Sequence, residues 1–123
     1  MPAFLAFNVA LALAALALGG HWVEWHFREL DDVASRTSAF ELGAEVHAVS
    51  AVAALAAARG RAHFNAPIIT GVFGTLIFSG ALYAFATFGW KATMPGTVFG
   101  SVLLIASWLW IAAKLWRDRQ KAG

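Results

Sequence analysis

The stretch AFLAFNVALALAALALGG, residues 3–20, contains no charged side chain. A helix needs about 20 mostly apolar residues to cross a bilayer, with a lower limit of about 17. The stretch therefore predicts a transmembrane helix. A signal peptide is the alternative, but such a peptide carries positive charge at its start, and this chain has no lysine or arginine before Arg28.

Further along the chain, apolar blocks recur at about residues 39–58, 64–88 and 94–116. The whole chain is 60% hydrophobic and 13% charged, whereas an ordinary soluble domain is about 25% charged. These blocks predict an all-α membrane protein, a bundle of four transmembrane helices in a single domain over residues 1–123. A net charge of +2, with the basic residues at helix ends, argues against nucleic-acid binding.

Local signals suggest where three of these helices begin. Ser38 and Glu41, in the sequence SAFE, have the spacing of a capping box, which predicts that the second helix begins there. Pro67 and Pro95 each fit a first helical turn, where a missing N–H costs nothing.

The basic residues predict the orientation. Four spans place both termini and the 59–63 loop on one side of the membrane, and basic residues accumulate on the cytoplasmic side. That side carries Arg59, Arg61, Lys114, Arg117, Arg119 and Lys121, and the other side carries Arg28, Arg36 and Lys91. We therefore expect an inner-membrane protein with both termini in the cytoplasm.

A stretch rich in histidine, tryptophan and acids, GGHWVEWHFRELDD at residues 19–32, follows the first span. Written on a helix, Val23, Phe27 and Leu30 fall on one stripe, and Trp22 and Trp25 suit the headgroup layer. These features predict an interfacial amphipathic helix over about residues 22–34. The same reasoning places His26 and His63 at the membrane surface.

Polar residues within the spans suggest a candidate site near the outer face. His21 continues a small-residue face of Ala10, Ala14 and Ala17, and small residues let helices approach in lipid. In the second helix, His47 lies among small residues. In the third helix, polar residues that include Ser79 and Tyr83 recur every four positions, and in the fourth helix Gly96 and Gly100 form a small-xxx-small pair. The candidate polar site is His21, His47, Ser79 and Tyr83, with Glu45 as a further candidate.

Three interpretations of this site remain open, because an ionisable residue inside a span is expensive and is a functional hypothesis by default. The polar groups can form structural hydrogen bonds between helices, or bind a small ligand or partner. A haem or metal held by His21 and His47 is the third interpretation, but the paired Glu-x-x-His motifs of di-metal bundles are absent from the sequence. The sequence predicts no cofactor and contains no nucleophile motif.

The third block carries a family resemblance. GTLIFSGALYAFATFG, Gly74–Gly89, resembles the third-helix motif of domain-of-unknown-function family 423, small bacterial inner-membrane proteins with a mitochondrial relative in animals. The resemblance implies a four-helix architecture, with His21, His47, Ser79 and Tyr83 matching polar positions. The chain departs from the family pattern before His47, where Gly43 and Ala44 replace a usual Tyr-Gln, and the family has no settled reaction.

Two kinds of function are compatible with these features. The small size and the aromatic residues Trp108, Trp110 and Trp116 favour a non-catalytic accessory or assembly subunit of a larger membrane complex. The alternative is a binder or transporter of a small molecule or lipid that uses the outer polar layer. The expected partners are membrane lipids and either other membrane subunits or a second copy of the chain.

Overall fold

The computed structural model describes residues 1–59 and 62–123. They form four long helices, α1 (Pro2–His26), α2 (Val33–Ala58), α3 (Asn65–Phe88) and α4 (Pro95–Ala122), and short 3₁₀ turns precede α3 and α4. Each long helix is apolar enough to cross a membrane, and the described residues contain no strand. The predicted all-α class with four spans is confirmed, and the chain is a multi-pass membrane protein.

Each helix packs against its neighbours in the chain, α1 on α2, α2 on α3 and α3 on α4. The most apolar sections of α2 and α3 each have 39% of their residues buried, whereas α1 and α4 have 22% and 17%. The central pair is therefore α2 and α3. We call the end near Pro2, Ala58, Asn65 and Ala122 the termini end, and the opposite end the loop end.

The contact between α3 and α4 is a backbone contact through glycines. A Cβ atom placed on Gly100 would lie 2.5 Å from the Phe78 nitrogen, and one on Gly74 would lie 2.8 Å from the Leu104 nitrogen. Small residues permit this approach, which dispersion and interhelical hydrogen bonds stabilise in lipid. Ser107 adds one such bond from its hydroxyl to the Pro67 carbonyl, 2.7 Å.

The segment after the first span differs from the prediction. Helix continues only to His26, with a break at Gly19 (φ 56°, ψ −167°), and residues 27–32 form turns closed by bonds such as Leu30 N to Phe27 O. The predicted interfacial helix over 22–34 is therefore not formed as one element. Val23 is buried and Leu30 is exposed, and the Asp31–Asp32 pair favours a turn rather than a helix interior.

The predicted capping box is also wrong, because α2 begins at Val33 and Ser38 and Glu41 lie inside it. Asp32 instead accepts a hydrogen bond from Arg36 Nε, 2.9 Å, across the first turn of α2. Glu41 packs over α1, since a Cβ on Gly20 would lie 2.5 Å from Glu41 Oε1. The proline predictions hold, with Pro95 opening α4 and Pro67 in the first turn of α3.

Candidate functional site

His47 is the centre of a buried polar contact that joins three helices. Its side chain is bonded at both ring nitrogens, Nε2 to Asn8 Oδ1 at 3.0 Å and Nδ1 to Tyr83 Oη at 3.3 Å. An amide oxygen only accepts, so Nε2 carries the proton, and Nδ1 of the neutral ring accepts from the tyrosine hydroxyl. The bonds therefore run in one direction, from Tyr83 on α3 through His47 on α2 to Asn8 on α1.

Gly43 extends this contact by one helical turn. The Ser79 hydroxyl donates to the Gly43 carbonyl at 2.8 Å, and a Cβ on Gly43 would lie 3.1 Å from Tyr83 Cε1. Because Gly43 has no side chain, the Tyr83 ring can pack against α2, where it also contacts Phe40 with ring centres 5.1 Å apart. Ser79 and Tyr83 thus fix α3 on α2 through one backbone and one side-chain acceptor.

The contact lies near the middle of α2, not at its outer end. At 1.5 Å per residue, His47 is about 21 Å from Val33 and about 16 Å from Ala58 along the axis. The expected outer position assumed that α2 begins near Ser38, and the additional helix before it moves His47 deeper.

His21 is not part of this contact. Its side chain is 95% exposed, with Nδ1 4.0 Å from Glu24 Oε2. The assignment of the first helix's inner face is wrong, because Ala10, Ala14 and Ala17 are exposed. The buried face of α1 is instead Leu5, Asn8, Ala12 and Val23.

Glu45 is not part of it either. It is exposed on α2, while His47, two residues later, is buried, as expected when successive helical positions point in different directions. Of the predicted site residues, the structure brings together His47, Ser79 and Tyr83.

Asn8 is the residue that the sequence reasoning missed. It is 5% exposed and supplies the acceptor for His47. The signal was present, because Asn8 is the only polar side chain in the apolar run before Gly19. A polar group in the hydrocarbon needs a partner, so this amide identifies the inner face of α1 better than its many alanines do.

The two remaining histidines lie at the surface of the bundle. His26 stacks on Trp22 with ring centres 5.2 Å apart at the loop end. His63 Nε2 lies 3.1 Å from Asp118 Oδ2 at the termini end, and both side chains are about half exposed.

Haem or metal held between His21 and His47 does not fit this geometry. The His21 ring faces outward, and both nitrogens of His47 are already engaged by Asn8 and Tyr83. Among residues 1–59 and 62–123, no group of three histidine, cysteine or acidic side chains is placed to hold a metal ion. The described polar contact is arranged to join helices.

Comparison with known proteins gives one match. The family described as "Protein of unknown function (DUF423)" matches residues 9–101, which include His47, Ser79 and Tyr83 and end within α4. No curated protein and no solved structure matches the chain. Because the match covers most of the sequence, the chain belongs to the DUF423 family of proteins of unknown function.

Proposed function

We propose that this protein is a non-catalytic membrane protein that serves as an accessory or assembly subunit of a larger membrane complex. One observation carries the proposal: the buried polar residues at the helix contacts, Asn8, His47, Thr75, Ser79 and Ser107, bond to one another or to backbone within the bundle. His47 uses both ring nitrogens within the bundle, and Ser79 and Ser107 donate to backbone carbonyls. What the bundle offers a second molecule is therefore its outer surface.

That surface is large, apolar and partly aromatic. On α4, Trp108, Trp110 and Trp116 are exposed, and tryptophan is enriched at protein contacts and in the headgroup layer. Membrane lipids cover such a surface in part, and an assembly partner covers the remainder under this proposal.

We place the protein in the inner membrane with both termini in the cytoplasm. The support is the excess of basic residues at the termini end, including Arg59, Lys114, Arg117 and Arg119, since positive charge accumulates in cytoplasmic segments.

The test is purification of the full chain from its native membranes in mild detergent, followed by native electrophoresis and mass spectrometry. The proposal expects a larger assembly with other membrane subunits at fixed stoichiometry. Recovery of the chain alone, or only as copies of itself, would contradict it.

A lipid binder is the second candidate, favoured by one cleft. Between α1 and α3 near the termini end lies an apolar cavity of about 180 Å³, lined among others by Phe4, Leu5, Ile68 and Val72. Its lining is apolar, so it suits an acyl chain better than a polar solute. Lipid that copurifies with the chain and is lost from Ile69→Trp, which enlarges an exposed residue of the cavity lining, would favour this function.

A further inference from the structure

The outward face of α2 carries an acidic residue among apolar side chains. Glu45 is exposed there, and its neighbours Leu42, Val49 and Val52 are 47%, 71% and 52% exposed. Within the described parts of the chain, no side chain or backbone group bonds to the Glu45 carboxyl group. We call Leu42, Glu45, Val49 and Val52 the α2 outer face.

Glu45 lies at membrane depth. Along the axis it is about 14 Å from Arg36 and about 21 Å from Arg59, and the hydrocarbon core is about 30 Å thick. A glutamate side chain is too short to reach either surface in the way that lysine and arginine do. An ionisable group facing lipid at this depth is costly, and such groups pair with one another or line a functional path.

Within residues 1–59 and 62–123, no lysine or arginine lies at that depth: Arg28, Arg36 and Lys91 are at the loop end, and Arg59, Lys114 and the α4 tail are at the other. His47 lies near that depth, but its two ring nitrogens are engaged by Asn8 and Tyr83 inside the bundle. A second copy packed on this face would bring Glu45 against Glu45 or against apolar residues. The complementary group must come from a different helix.

We infer that the α2 outer face binds a transmembrane helix of another protein, whose basic side chain pairs with Glu45 inside the membrane. This inference rests on the proposed subunit role and names the surface and chemistry that the role uses. A groove next to Val52, lined also by Pro2, Leu55, Ala56 and Ala58 and by Arg59 at the membrane surface, continues the face toward the termini end with a volume of about 490 Å³. It gives a neighbouring helix a place for a bulky side chain.

Photocrosslinking in native membranes tests the inference. The photoreactive residue benzoylphenylalanine replaces Val49 on the α2 outer face, and in the control it replaces Val102 on the exposed side of α4, where the side chain is 58% exposed. The expected product at Val49 is one other protein, crosslinked on a transmembrane segment that contains a lysine, arginine or histidine. Glu45→Leu and Glu45→Gln should each lower its yield about tenfold, because each removes one partner of a desolvated charge pair.

Replacing the partner's basic residue by leucine supplies the decisive step. Combined with Glu45→Leu, it should restore most of the product, because neither helix then carries an uncompensated charge. Thermal unfolding of the purified chain should not change in either Glu45 variant.

The contrary results are distinct. Four results would each overturn this inference and leave the subunit role standing. The Val49 product could contain only the chain itself, or a partner segment without a basic residue. The yield could be insensitive to Glu45, or Val49 could give no product while the chain still copurifies in a larger assembly. Absence of any larger assembly would remove the subunit role and this inference together.

Discussion

Asn8 and His47 lie on neighbouring antiparallel helices and share a buried 3.0 Å hydrogen bond. It fixes the rotation of α1 against α2, because every other side chain of α1 between Ala3 and Leu18 is apolar. Lipid is as apolar as those side chains, so hydrophobicity alone does not choose which face turns inward. The Asn8 amide therefore determines which face of α1 packs against α2.

Breaking this bond should lower stability by a modest and measurable amount. Asn8→Ala and His47→Ala each leave a buried partner unsatisfied, which costs about 1–3 kcal/mol. A double-mutant cycle should give a coupling energy of about 0.6 kcal/mol, the average for such bonds in membranes. The free energy of unfolding is measured by detergent titration.

His21→Ala is the matched control for this cycle, since the His21 side chain is 95% exposed. It should be silent in the same titration. A His21 variant as damaging as His47→Ala would mean that His21 contacts the bundle, contrary to this structure.

The glycines of α3 allow a prediction of opposite effects in one helix. Gly74→Ala places a methyl group 2.8 Å from the backbone of α4, whereas Gly80 has nothing within 4 Å of the same position. We expect Gly74→Ala to cost about 1–3 kcal/mol through overpacking. Gly80→Ala should be neutral or stabilising, because alanine has the higher helix propensity. Equal effects of the two substitutions would exclude a close α3–α4 contact at Gly74.

Alanine substitutions at Gly89 and Gly19 compare the cost of backbone strain with the cost of steric crowding. Both have positive φ, at 69° and 56°, but an added Cβ on Gly89 meets the Arg36 guanidinium, whereas Gly19 has open space. Gly19→Ala should cost about 1–3 kcal/mol from strain alone. Gly89→Ala should carry a similar strain, and its contact should add little, because the atom met is the far end of the flexible Arg36 side chain, which can shift. The cost of Gly89→Ala should therefore be nearly the same in an Arg36→Ala background. Thermal unfolding of the single and double variants measures this.

Arg36 joins the turns of the loop end to the helices. Its side chain is 12% exposed, pairs with Asp32 at 2.9 Å, and lies 5.0 Å from the centre of the Phe27 ring. Lysine lacks the planar group that can stack and pair together. Arg36→Lys should therefore lower the free energy of unfolding by about 1 kcal/mol. Arg28 pairs with Glu29 at the surface, where an ion pair contributes little, so Arg28→Lys should leave the stability nearly unchanged. Chemical unfolding at two salt concentrations compares them.

Some of the site could be predicted and some could not, for physical reasons. His47, Ser79 and Tyr83 stand out because a polar side chain in an apolar helix is costly and must face protein. The inner face of α1 was assigned from residue size, which does not discriminate where alanines occur all around the helix. The break at Gly19 accompanies the packing of Val23 against Phe40 and Ala44, a tertiary contact that the local pattern does not reveal. The turns at 27–32 did have a local signal, the Asp31–Asp32 pair, which the amphipathic interpretation did not use.

The proposed orientation is tested by single cysteines, which are unique because the natural sequence has none. Glu29 lies in the turns of the loop end with its side chain 89% exposed, and Gly123 follows the end of α4 at the termini end. Both positions are exposed and neither contributes to a buried contact, so Glu29→Cys and Gly123→Cys should leave the fold intact.

With more basic residues at the termini end, that end should remain in the cytoplasm. A membrane-impermeant maleimide added to intact cells, with the outer membrane opened, should label Glu29→Cys and should reach Gly123→Cys only after the inner membrane is permeabilised. The reverse pattern would invert the orientation without changing the fold, and labelling of both in intact cells would argue against an even number of spans.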